Sequence, residues 1–105
     1  MTKLEAIKGY VGLATKARQA VYGLDNLNKQ KCKFYLLFRS NDSGRNLIKQ
    51  TNLYVERTKC EMIEIEDYEM IAITNMPNCK VFGIKDKKMA EVIKNTWGEH
   101  DTKSN

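Results

Sequence analysis

The chain is 105 residues long, 42% hydrophobic and 30% charged, with a net charge of +5. That length supports one domain with its own core, no apolar run approaches the roughly 18 residues that a membrane span needs, and no secretory leader is visible. The charge is uneven: residues 1–50 hold ten Lys/Arg against three Asp/Glu (+7), and residues 51–105 hold eight against ten (−2). Such asymmetry suggests a basic face for a polyanion with the acidic part held away from it, although a solvated lysine-rich surface gives the same count.

In chain order, Thr2 and Glu5 have capping-box spacing, and Leu4, Ile7, Val11 and Ala14 recur at helical spacing, widened by Leu13. This predicts a helix over 3–17, with Gly9 and Gly12 permitting close packing against a neighbour. A short extended run at Ala20 to Tyr22 follows, and Gly23 breaks it. A short polar helix opens with Asp25 and Asn26. It has only Leu24 and Leu27 on an apolar edge, so its exposed face is the part expected to matter. Phe34 to Phe38 form a continuous apolar run, as in a central strand covered on both faces, placed over 33–38. In the loop RSNDSG, Asp42 or Ser43 can cap a helix running to about Arg57, with Leu47, Ile48, Leu53 and Tyr54 toward the core. Arg45 sits in the first turn, against the helix dipole; helix stability does not explain a cation there, and a phosphate contact would. Strand Cys60–Ile65, an acid-led short helix, the loop TNMPNC and strand Cys79–Ile84 come next. Asp86 can cap a last helix with Met89, Val92 and Ile93 on one side and Trp97 closing it, leaving 98–105 as a polar tail. Alternating helices and strands predict one α/β domain over 1–97: a three-layer α-β-α sandwich around a four-stranded mixed sheet, with strands 33–38 and 79–84 central.

Reactive chemistry is sparse. The one histidine, His100, lies in the polar tail, which removes His-based triads and most His metal sites. No Gly-rich phosphate loop pattern occurs. Cys32, Cys60 and Cys79 are odd in number and lack CxxC spacing, which argues against a disulfide framework and a zinc site; each is expected to be a buried thiol in a reducing compartment. The acidic run Glu61, Glu64, Glu66, Asp67 and Glu69 reads as a solvated strand edge and helix start rather than a divalent-metal site. Among the aromatics that could stack on unpaired bases, Phe34 to Phe38 belong to the core, and Tyr22 beside the glycine stays open.

Two stretches carry a resemblance: Val11-Gly12-Leu13-Ala14-Thr15-Lys16-Ala17 followed by Val21 and Gly23, and GLDNLNK from Gly23 to Lys29. Together with the element order over residues 4–95, they resemble the kink-turn-binding ribosomal proteins named for L-seven-Ae and L-thirty-e, and most of all the small bacterial YlxQ branch. The family signature reads Gly-x-Asn-Glu-x-x-x-Lys at the start of the second helix. The resemblance implies an α-β-α sandwich that binds RNA without catalysis or cofactor. In it, Gly23 opens the reading helix, Asp25 and Asn26 meet base edges, and Lys29 takes the basic place. The loops Arg39–Gly44 and Ile73–Cys79 would complete the site, with Met76 in the apolar segment that packs on an extruded base. Lys16, Arg18, Lys31, Arg39 and Arg45 would add phosphate contacts. Three places depart from the family pattern. Asn-Glu is replaced by Asp25-Asn26, Leu-Gly by Met70-Ile71, and the glycine that closes the fourth helix by Asn75. Capping of the short helix by Asp25 and Asn26 is an equal explanation of those residue types. The expected protein is therefore a monomeric, cytoplasmic binder of structured RNA, rRNA foremost, with no membrane or metal. The alternative is a protein-interaction module whose RNA site is degenerate.

Overall fold

In the computed structural model, the backbone is described for residues 2–102 and the side chains for residues 2–98. The elements are α1 (Lys3–Lys16), β1 (Ala20–Tyr22), α2 (Leu24–Lys29), β2 (Leu36–Ser40), α3 (Arg45–Thr58), β3 (Glu61–Ile65), α4 (Asp67–Thr74), β4 (Val81–Ile84) and α5 (Lys87–Thr102). The sheet order is β1-β4-β2-β3. β4 runs antiparallel to both β1 and β2, and β3 parallel to β2, so the sheet is mixed.

The strands expected at 33–38 and 79–84 are the inner pair, the first shifted to Leu36–Ser40 and the second shortened to Val81–Ile84, and every residue in them is buried. Side-chain alternation in β2 divides the core. Leu36 and Phe38 join Ile7, Val11, Met70 and Ile93 on the face covered by α1, α4 and α5. Leu37 points the other way, to Leu27, Phe34 and Val81 under α2 and α3. This is a three-layer α-β-α sandwich. On the larger face Phe38 stacks on Phe82 with ring centroids 4.9 Å apart, and Trp97 meets Phe38 edge-on at 6.0 Å.

Helix starts follow the sequence in part. Thr2 and Glu5 form the capping box of α1, and the Asp86 carboxylate accepts from the Met89 N–H at 2.8 Å to start α5. α3 differs: its cap is Gly44, with no side-chain bond. Ser43 instead donates to the Ser40 carbonyl, and the Asp42 N–H donates to the Ser40 hydroxyl, so both residues shape the loop rather than the helix. Leu53 is 53% exposed, and the core position on α3 belongs to Thr51, whose hydroxyl satisfies itself on the Leu47 carbonyl. Cys32 is exposed, whereas Cys60 and Cys79 are buried. α5 passes Trp97 and continues to Thr102, so the tail expected from 98 is helical that far; 103–105 lie outside the described residues.

Glycine roles are also redistributed. A Cβ on Gly9 or Gly12 would meet nothing within 4 Å, so neither permits a close approach. Gly83 does. A Cβ there would lie 2.7 Å from Phe34, 2.8 Å from Leu37 and 3.0 Å from Leu27. Gly83→Ala should therefore cost about 1–3 kcal/mol through overpacking, read as a lower urea midpoint. Gly12→Ala should move the midpoint the other way by up to ~1 kcal/mol. A destabilised Gly12→Ala would mean that something covers the outer face of α1.

Candidate nucleic-acid interface

Strand directions bring three segments to one end of the sheet. β1 ends at Tyr22 opposite Phe82, near the start of β4, and β2 passes Phe82 and Val81 before ending at Ser40. The chain enters α2 through Gly23, α3 through the Ser40–Gly44 loop, and β4 through residues 75–80 at this same end. Backbone bonds lock them together: the Gly23 N–H donates to Val81 O at 2.9 Å, and the Ser40 N–H donates to Lys80 O at 2.8 Å.

Each segment has a local cause. Gly23 has φ +87° and ψ 145°, a conformation that side-chain-bearing residues avoid, and this lets β1 turn straight into a helix. Neither Asp25 nor Asn26 caps that helix. Asn26 sends its amide back to the Tyr22 carbonyl at 2.9 Å, leaving its oxygen outward, while Asp25 is exposed and makes no hydrogen bond among the described residues. Tyr22 is half-buried: its hydroxyl meets Thr15 at 2.6 Å and its ring packs on Phe82. Asn75 closes α4 at φ +57°, the left-handed conformation that asparagine tolerates nearly as glycine does.

Beyond these caps lies a mostly apolar groove of about 440 Å³ lined by Tyr22, Gly23, Leu24, Leu47, Met76 and Val81. Met76 is 37% exposed at its rim. Leu24 and Leu47 have nothing in their spacing to distinguish a groove wall from a core position, so no pattern in the chain marks them. Beside the groove Lys80 donates to Asp67 at 2.7 Å and to Asp42 at 3.3 Å, and Asp67 also accepts from the buried Ser40 hydroxyl at 2.8 Å. This network ties the α4 start to both loops.

The expected binding residues do not form one cluster. Gly23, Asp25, Asn26, Arg45 and Met76 surround this end. Lys16 and Arg18 lie where α1 hands over to β1, at the opposite end. Lys29 and Lys31 also lie that way, because Gln30 between them accepts from Lys85 Nζ at 3.4 Å, just past the end of β4. The Lys85 N–H in turn donates to Gln19 O at 2.7 Å, which brings Arg18 close. Arg39 is displaced altogether. It is 8% exposed, on the α3 side of β2, with its guanidinium donating to Thr51, Asn52 and Glu64, each at 2.9 Å. A strand position that alternates inward cannot reach a phosphate.

The acidic run is spent on structure. Glu61 pairs with Lys94, Glu64 with Arg39 and Asp67 with Lys80, while Glu69 accepts from the Glu66 N–H. Among the described residues no group of three His, Cys, Asp or Glu side chains is placed to hold a metal ion, and no helix is long and apolar enough to cross a membrane. Burial pushes the Cys60 thiol up to about 11 and raises that of Cys79, so both stay protonated at neutral pH.

Hydrogen bonds from Lys80 and Ser40 hold the Asp67 carboxyl below the usual aspartate value. A depressed folded-state pKa adds stability that is full above the unfolded value, near 4, and lost as pH falls through the folded one. Unfolding followed between pH 5 and 2 should therefore steepen with acid in the natural chain and flatten in Asp67→Asn. Identical profiles would show that the network does not couple to folding.

No protein-family model matches this chain, and no curated protein does. A solved structure of a protein of unknown function from Bacillus halodurans is similar, at 21% identity and a TM-score of 0.68, over 86% of this chain and 94% of the other. That likeness shows the same α/β fold.

Proposed function

We propose that this chain binds structured RNA without catalysing a reaction, on or off the ribosome, with a kink-turn-like element as the preferred target. The observation that carries the reading is the apolar groove beside the entrance to α2. It offers a seat for one extruded base, next to outward polar groups on Asp25 and Asn26 and the exposed cation of Arg45. Asparagine and aspartate edges can hydrogen-bond to guanine edges, and an exposed arginine can hold the adjacent phosphate. The GLDNLNK resemblance supports the same use of these positions. α2 has six residues and is only ~9 Å long, so an RNA seated at Gly23 reaches Lys29 and Lys31 within a few nucleotides. A protein partner is the second reading, favoured by the exposed apolar side chains of Tyr10, Leu13 and Val92 where α1 meets α5.

The test is a salt titration of binding to a kink-turn and to a plain hairpin of equal length. The kink-turn should bind more tightly and hold on at higher salt. Met76→Ser should erase that preference more than it weakens hairpin binding. Lys29→Ala with Lys31→Ala should lower the salt slope by about one per lysine on either RNA. Equal affinities with equal slopes, unmoved by these changes, would sink the proposal.

A further inference from the structure

A second basic feature lies at the far end of the sheet, where β2 and β3 begin. There Lys33, Lys59, Lys87 and Lys94 surround a groove of about 220 Å³ with Tyr35 in its wall, the buried Cys60 beneath, and Glu61 and Glu91 at its edge. Glu61 neutralises Lys94 at 2.6 Å. Lys33, Lys59 and Lys87 make no ion pair among the described residues, so they outweigh Glu91 and leave the groove positive. Tyr35 is 38% exposed, with the Lys33 ammonium 5.2 Å from the centre of its ring.

Three features say what fits. The groove is smaller than the ~300–1,000 Å³ of small-molecule sites, and it is open, which suits a polymer lying across it better than an enclosed ligand. An exposed aromatic among unpaired cations is the pattern that stacks a base and holds the flanking phosphates. Lys59 also stands at the end of α3 with φ +61°, a conformation in which glycine would be unstrained. Glycine would close the helix as well; the α3 dipole favours a cation at this terminus, and the Lys59 side chain also lines the groove.

We infer that this groove is a second nucleic-acid contact, holding single-stranded RNA with phosphates on Lys33, Lys59 and Lys87 and one base on Tyr35. Lys29 and Lys31 lie toward this same end, one short helix away from Gly23, so one RNA that follows the ~9 Å of α2 can contact both. The inference takes its choice of polymer from the proposed RNA binding, but it needs no kink-turn.

The experiment uses the full chain and a fluorescein-labelled oligouridylate of ~10 nucleotides, within the span of simple single-strand sites, with anisotropy read across a salt series. Lys33→Glu, Lys59→Glu and Lys87→Glu combined should weaken binding at least about tenfold and lower the salt slope by about two, since each single-strand phosphate contributes ~0.7. Tyr35→Leu should weaken it about tenfold through lost stacking. Lys59→Gly should weaken it several-fold while raising the melting temperature, a combination that partial unfolding cannot produce. Met76→Ser, in the other groove, should leave oligouridylate binding unchanged. An unaltered affinity and slope in the triple variant overturns the inference. So does loss of polyglutamate binding in the triple variant together with indifference of oligouridylate to Tyr35→Leu, which would assign the groove to an acidic polypeptide. If the natural chain shows no kink-turn preference yet its oligouridylate binding depends on these residues, the proposed target fails and this second contact stands.

Discussion

The seat of α2 depends on one missing methyl group. With Gly83 in the middle of β4, Phe34, Leu37 and Leu27 close over bare backbone at distances that no Cβ would allow. Leu27 is the one buried residue of α2, and a six-residue helix cannot hold itself together in water. Its position is therefore set from outside. The Leu27 contact with Gly83 fixes its height above the sheet, the Gly23 N–H bond to Val81 fixes its start, and the Asn26 amide on Tyr22 O closes the first turn. Everything that α2 presents outward inherits its geometry from these three restraints, and the groove wall made by Leu24 does too.

The layered fold was legible because its signals are long and redundant. The apolar runs from Phe34 to Phe38 and Val81 to Ile84 suit strands covered on both faces, and α1 and α5 carry capping residues at the required spacing. The loops were less legible, and for a common reason. Asp42, Ser43, Asp25 and Asn26 are all good caps in isolation, yet none caps a helix in the folded chain, and all but Asp25 take another partner. Ser40 is buried and must be satisfied, so it recruits the Asp42 N–H and Asp67, while its carbonyl takes the Ser43 hydroxyl. Short polar side chains serve whichever partner tertiary structure brings near, and the sequence does not name that partner. Arg39 is the same lesson with a charge. Its type suggests phosphate, but its place in β2 alternation turns it toward α3, where Thr51, Asn52 and Glu64 use its fork of donors.

Charge composition carried information about amount but not about place. The basic half of the chain does not fold into one basic face. α1 and α2 each end at the edge where β2 begins, so Lys16, Arg18, Lys29, Lys31 and Lys33 gather there, while the groove end keeps Arg45 as its exposed cation and pairs Lys80 with two aspartates. Polar groups able to read shape or sequence thus lie at one end and diffuse charge at the other. Phosphate charge positions a nucleic acid, and base-edge contacts specify it. On the proposed reading, a scaffold that separates the two would hold an RNA by its backbone before the groove engages.

The backbone bears on the same division. The described residues with positive φ are Arg18, Gly23, Lys59 and Asn75. At the groove end the positions are filled by glycine and asparagine, the residues for which that conformation costs least. At the opposite end they are filled by arginine and lysine, for which it costs on the order of 1 kcal/mol more than for glycine. Both of these residues follow a helix, α1 or α3, where a terminating glycine would close the turn without strain. Two strained cations at one end and none at the other is not what chain reversal alone requires. Each cation follows the negative end of a helix dipole, which offsets part of that strain, so the fold itself gathers positive charge at the end away from the groove.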